Sequence, residues 1–344
     1  MCGIVAYVGN KEAYPILIKG LKRLEYRGYD SAGVCLLNSG LHIYKCKGKV
    51  SDLEDFAKEK DRSGSIGIGH TRWATHGEPN DVNAHPHYSG NEILAMIHNG
   101  IIENYDVLKE ELLQRGHEFR SDTDTEVLIH LIEDIQANEK LGLAEAVRVA
   151  LTQVIGAYAI AVMDKNDPDV LIGAKKGSPM VVGIGNDEFF LASDATPIVE
   201  FTKDVVYLDD DQIVELRRGK EISIRTIENE VHTPYIQELE MHLETLEKGG
   251  YEHFMLKEIH EQSSAVANTL NQRTAEGKVL ENAFGTEAHK VFDQVQAVHI
   301  VACGTSYHAG LIARYWIEDI CRIPCNVEIA SEYRYRNPVV VENT

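Results

Sequence analysis

Cys2 stands directly behind the initiator methionine, and a side chain that small permits the methionine to be trimmed. The chain would then begin with a thiol and a free α-amine on one carbon. An unperturbed α-amine titrates near pH ~7.7–8.0 and a free thiol near ~8.5, so around neutrality the pair makes a nucleophile that carries its own base. A thiolate that attacks a carbonyl needs donors aimed at the developing oxyanion. His98-Asn99-Gly100 has suitable types, with a side-chain amide on Asn99 and an unhindered backbone N–H on Gly100. The run from Gly69 to Gly77 adds a guanidinium, an indole, hydroxyls and imidazoles within a few residues. Arg72 is fitted to grip a carboxylate bidentately, and Trp73 to cover a pocket. Asp124 either takes up an ammonium group or simply favours a helix N-terminus; paired with Arg72 it describes a pocket for an amino acid. His70, His76, His85, His87 and His98 lack regular ligand spacing and accompanying carboxylates, so neither a metal nor another cofactor is expected.

These residues need elements to hold them. Ile4 to Val8 is apolar and β-branched, which predicts a strand that fixes the terminus. Ala13, Ile16, Leu17, Leu21 and Leu24 recur at helical spacing before Gly28, and Ala32–Leu37 with His42–Lys45 reads as a hairpin about Asn38-Ser39-Gly40. Ser65–His70 and Ile93–His98 read as strands, the second ending at His98-Asn99-Gly100, with a polar loop from Thr71 to Asn91 between them. Helices are expected over Tyr105–Arg115, Thr123–Gln136 and Leu143–Val154, the middle one opening with Thr123 and Glu126 at capping-box spacing. Short β-rich runs fill Tyr158 to Ile227. Strands, then helices, then strands again predict an α+β fold of stacked sheets with helices outside. Farther on, Phe254–Leu270 and Tyr307–Cys321 read as helices and Ala297–Ala302 and Val327–Ala330 as strands, the opening of a parallel α/β domain. The expected division is 2–240, a linker over 241–253, and an incomplete second domain over 254–344.

The net charge of -20 argues against a nucleic-acid partner, because phosphate-backbone affinity comes from clustered Lys and Arg. Six scattered cysteines suit reduced thiols, and no stretch approaches a membrane span, so a cytoplasmic location is expected.

CGIVAYVG, LEYRGYDSAG, HTRWATHG, VNAHPH, HNGIIEN and SDTDTE, in that order, resemble the N-terminal-nucleophile glutamine amidotransferases. With CGTSYHAG and ASEYRYR, the resemblance is nearest the bacterial branch whose second domain is a sugar isomerase and which makes glucosamine 6-phosphate from fructose 6-phosphate. It implies a four-layer αββα sandwich followed by part of a sugar-isomerase domain. Cys2 would be the nucleophile, and Asn99 and Gly100 the oxyanion hole. Arg72, Trp73, Thr75, His76 and Asp124 would hold glutamine, and Arg27, Tyr29 and Trp73 would close the site and guard ammonia transfer. Thr305 and Ser306 would line a sugar-phosphate site. The intact enzyme would use fructose 6-phosphate and form a homodimer, whereas this chain would retain the glutaminase half. Relatives that feed ammonia to phosphoribosyl or asparagine-forming domains do not account for CGTSYHAG. A non-catalytic sugar-phosphate sensor would have no need of an oxyanion hole.

Overall fold

The computed structural model describes residues 2–74, 76–239, 250–270, 273–275, 277–284 and 288–344. The chain divides into two compact units, Met1–Glu247 and Lys248–Thr344. Of the expected linker over 241–253, residues 241–249 lie outside the described residues.

In the first unit, β1 (Gly3–Val8) lies inside an eight-stranded sheet between β10 (Phe189–Ala192) and β4 (Ile66–Arg72). Beyond β4 come β2 (Ser31–Leu37) and β3 (Leu41–Lys47), the expected hairpin. On the other side β10 leads to β9 (Val181–Ile184), β11 (Asp204–Tyr207) and β15 (Gln237–Glu238). A second sheet has seven strands. At its centre are β6 (Leu94–Ile102), β7 (Gly156–Asp164), β8 (Asp167–Lys176) and β12 (Gln212–Arg217), and β5 (His87–Tyr88) pairs with β6 at one edge. β13 (Ser223–Thr226) and β14 (Val231–His232) close the other edge. The named strands of both sheets pair antiparallel.

Strand periodicity builds the layers. Ile4, Ala6 and Val8 point between the sheets onto Ala95, Ile97, Ala159 and Ala161. Val5 and Tyr7 point the other way, onto α1 (Ala13–Leu24) and α2 (Val50–Ala57). Leu94, Met96, Ile160 and Val162 turn outward onto α3 (Tyr105–Gln114), α4 (Asp124–Glu139) and α5 (Leu143–Leu151). The result is the αββα sandwich, with three apolar layers separating four layers of backbone.

Three points depart from expectation. β6 continues to Ile102, so Asn99 and Gly100 lie inside a strand and pair with Ala159 and Tyr158. The neighbouring β7 extends the ladder past the Asn-Gly pair, which local turn preference could not anticipate. The helix α2, with Val50, Leu53 and Ala57 buried, was not expected from its short and highly charged sequence. At α4, Thr123 caps Glu126 N–H as expected, but the Glu126 carboxylate accepts from the backbone of Arg120 and Ser121, so the reciprocal half of a capping box is absent.

In the second unit a 17-residue helix spans Phe254–Leu270. Val298–Ala302 and Cys325–Ile329 are parallel strands, joined through the helix Gly304–Trp316. That is the β-helix-β crossover expected of the sequence.

Ile97 is fully buried between the sheets. Ile97→Ala should lower the unfolding free energy by about 2–5 kcal/mol and Ile97→Val by about 0.5–1.5 kcal/mol in urea titrations. Near-equal, small losses would show that the sheets are not close-packed at this point.

Candidate active site

Cys2 precedes β1, and the antiparallel pairing of Gly3 with Thr71 sets it beside the end of β4. There its Sγ accepts the N–H of Trp73 at 3.2 Å. Burial raises the thiol above its ordinary value, and the Trp73 N–H works against that shift.

From the opposite sheet, Asn99 reaches across and donates its Nδ2 to the Cys2 carbonyl at 3.0 Å. His70, on β4, holds the other end of that amide. Its Nε2 lies 2.9 Å from Oδ1 of Asn99 and 3.1 Å from the carbonyl of His98. Both partners are acceptors, so Nε2 carries the proton and the imidazole is the Nε2–H tautomer. Burial pushes His70 down to about 3, despite the opposing hydrogen bond to Asn99, so the ring is neutral. Gly100 follows at φ +134°, where a Cβ would stand 2.0 Å from the Ala157 carbonyl oxygen. Only glycine fits here without moving β7.

Arg72 is buried, and its guanidinium donates to the carbonyls of His76, Gly77 and Glu78. Burial lowers its affinity for a proton, while Asp30, Cys2 and Asp124 act in the opposite sense, so these four groups share one electrostatic neighbourhood. Asp124 opens α4 and accepts the N–H of Ile102 at 2.9 Å, tying the helix to the end of the strand that carries Asn99. Trp73 is half exposed and meets Tyr29 edge to face at 5.5 Å. Arg27 finds its partners at Ser193 and Asp194. It donates to the Ser193 carbonyl at 2.9 Å, and Ser193 Oγ accepts the N–H of Ile4. His76 packs edge-on against Tyr105. Thr75 lies outside the described residues. Thr305 and Ser306 are exposed in the first turn of Gly304–Trp316, in the second unit.

Three contributors were not singled out from sequence. His70 orients Asn99. Asp30 accepts the Ala74 N–H and donates its own N–H to the Arg72 carbonyl, which shapes the turn that presents Trp73 to the thiol. Ser193 anchors both β1 and Arg27. His70 and Asp30 fall inside HTRWATHG and LEYRGYDSAG and were within reach of a motif reading, whereas nothing local marks Ser193. The remaining histidines, His85, His87 and His98, form a buried cluster with His70 and are held neutral by burial.

Because the Cys2 thiol is raised, its thiolate fraction should still be climbing beyond the ordinary thiol range of about pH 8–9. Alkylation of Cys2 by iodoacetamide, followed by peptide mass mapping, should accelerate through that range; a plateau below about pH 8 would contradict the burial effect. Gly100→Ala should destabilise the chain by about 1–3 kcal/mol in urea, because the added methyl cannot clear the Ala157 carbonyl.

Comparison with known proteins supplies the family. A family profile described as a glutamine amidotransferase domain matches residues 54–240, just over half of the chain. A protein of Bacteroides thetaiotaomicron named glutamine--fructose-6-phosphate aminotransferase [isomerizing] is 57% identical over 347 residues, covering 100% of this chain and 56% of the relative. A protein of the same name from Chlorobaculum tepidum is 50% identical, covering 99% of this chain and 56% of the relative. The chain therefore spans little more than half the length of these curated relatives. Among solved structures, one titled as the allosteric regulatory enzyme of purine biosynthesis superposes with a TM-score of 0.58 at 27% identity, over 66% of this chain and 49% of that one. The glutamine phosphoribosylpyrophosphate amidotransferase of B. subtilis superposes with a TM-score of 0.60 at 21% identity, over 95% of this chain and 65% of that one, a likeness of fold. With the profile covering the strands and helices that bring Asn99, Arg72 and Asp124 to Cys2, the chain belongs to the glutamine amidotransferase domain family.

Proposed function

We propose that the first unit hydrolyses glutamine to glutamate and ammonia, with Cys2 as nucleophile once Met1 is removed. The observation that carries this reading is the approach of Asn99 Nδ2 to within 3.0 Å of the Cys2 carbonyl from the facing sheet. A primary amide has two N–H groups. One holds the Cys2 backbone, and the other remains for an oxyanion forming beside the thiol, with the Gly100 N–H as second donor.

The α-amine of Cys2, acting through a water, takes the thiol proton, and the thiolate adds to the side-chain carboxamide of glutamine. The tetrahedral adduct collapses as the C–N bond breaks, and the proton held on the amine leaves with ammonia. Water then adds to the γ-glutamyl thioester, the C–S bond breaks, and glutamate and the thiol are regenerated. Arg72 takes the substrate α-carboxylate in exchange for its present carbonyl partners, and Asp124 takes the α-ammonium. Thr75, His76 and Trp73 complete the pocket. Trp73, Tyr29 and Arg27 govern its closure and the retention of ammonia.

For the longer protein of which the relatives are examples, the product ammonia converts fructose 6-phosphate to glucosamine 6-phosphate, with Thr305 and Ser306 at the sugar-phosphate site. The support is the identity to relatives carrying that name, and the helix start that places two hydroxyls after a parallel strand. The same reading includes a homodimer and a cytoplasmic setting. Among the described residues, no helix is long and apolar enough to cross a membrane.

Incubation of the purified chain with glutamine should release glutamate, with the N-terminal mass lacking Met1. Cys2→Ala should abolish turnover, and Asn99→Ala should lower kcat about 10²–10³-fold, the usual effect of losing one oxyanion donor. Glutamate release that survives Cys2→Ala would overturn the reading.

A further inference from the structure

Away from Cys2, a cavity of about 840 Å³ is lined in part by His117, His130 and Glu133, together with Lys45 and Arg120. His130 and Glu133 face the same side of α4, one turn apart. His117 follows α3, just beyond Gly116, whose φ of +92° turns the chain back toward α4. The Nδ1 atoms of the two histidines face each other at 3.1 Å. Glu133 Oε2 lies 3.2 Å from Nδ1 of His130 and 3.8 Å from Nδ1 of His117.

Hydrogen bonding alone does not require that triangle. A proton on one Nδ1 can satisfy the two short contacts, but two imidazole nitrogens and a carboxylate oxygen converging on one point also make a donor set for a metal ion. A tetrahedral zinc with ligand bonds of about 2.0–2.1 Å holds its donors about 3.3 Å apart, close to the 3.1 and 3.2 Å separations here and shorter than the 3.8 Å one. The outer nitrogens are also partnered as such a site demands. His117 Nε2 lies 3.3 Å from Oδ1 of Asp134, and His130 Nε2 lies 3.7 Å from Oε1 of Glu126. Each imidazole thus has a carboxylate behind it, to fix the ring and keep Nδ1 turned inward. Glu133 is also held in place, because its two oxygens accept the N–H groups of Gly90 and Asn91 at 2.8 Å. A carboxylate oxygen that accepts one N–H still has a lone pair for a metal.

We propose that His117 Nδ1, His130 Nδ1 and Glu133 Oε2 bind a divalent transition metal of the zinc type, with solvent from the cavity as fourth ligand. Two imidazoles and one carboxylate favour zinc over magnesium or calcium, which take all-oxygen shells. The metal would clamp the turn after α3 and the Gly90–Asn91 turn onto α4, whose first residue is Asp124. Its role is to steady the helix that presents Asp124, roughly 9–14 Å along the axis from the metal ligands.

The test is zinc binding by the whole chain after treatment with a chelator, titrated against a chromophoric zinc indicator, with cobalt substitution to identify the ligands. One metal should bind with the cobalt d–d spectrum of nitrogen and oxygen donors and without the intense thiolate band that binding at Cys2 would give. His117→Gln, which removes a ligand from a turn rather than from the core, should abolish that binding while leaving the far-UV circular dichroism unchanged. Asp134→Asn, which alters the outer partner of His117 and the Arg115 ion pair but removes no ligand, should weaken binding about 10–100-fold. Absence of binding, a thiolate-type cobalt spectrum, or unchanged affinity in folded His117→Gln would each overturn the proposal.

Discussion

The arrangement depends on one polar line drawn through a buried interlayer, from His70 through the Asn99 amide to the Cys2 carbonyl. β4 and β1 belong to one sheet and β6 to the other, so the line joins layers that meet largely through apolar side chains such as Ile4 and Ile97. In that setting an unpaired polar group costs a few kcal/mol, which fixes the amide orientation far more firmly than solvent-exposed hydrogen bonds would. It also decides the state of His70. A charged imidazole between the sheets would be uncompensated, so the ring is neutral, and two acceptors choose which nitrogen keeps the proton. The Asn99 Nδ2 group then has a single direction available, toward the N-terminal strand.

Several motifs that look separate in the chain are the two sides of one contact. Gly28 lies where a Cβ would be 2.7 Å from the Arg72 backbone carbon, and Gly33 where it would be 2.1 Å from the His85 carbonyl oxygen. Any side chain at either position would push LEYRGYDSAG away from HTRWATHG or from VNAHPH. Asp30, between those glycines, then reaches the backbone of Arg72 and Ala74. The turn that offers Trp73 N–H to the thiol is therefore held by contacts from a different part of the sequence, and the guanidinium of Arg72 is braced by the carbonyls that follow it.

Helix α4 joins the site to the outer layer. Its first residue grips the end of β6 through Ile102, its buried face packs on the second sheet, and two turns on it carries His130 and Glu133. A rigid helix transmits displacement along its axis with little loss, so whatever fixes its middle also fixes the carboxylate at its start.

The sequence by itself marked Cys2 as the candidate nucleophile and determined the layer pattern and most element positions. Residue type dictates thiol chemistry, and the two-residue and 3.6-residue periods dictate which faces are apolar. Phe254–Leu270 and Ala13–Leu24 were legible for that reason. Only the tertiary structure decided how the separate motifs become a site. Asn99 and Gly100 stand at the expected end of a strand, yet β7 draws them into a ladder that aims the amide at Cys2. His70, Asp30 and Ser193 act across long sequence separations through the register of β1 against β4 and β10, and register is a property of pairing that no local preference records. The convergence of His117 with His130 and Glu133 likewise depends on how the chain turns back after Gly116, a geometry invisible in spacing alone because one ligand comes from a turn and two from a helix.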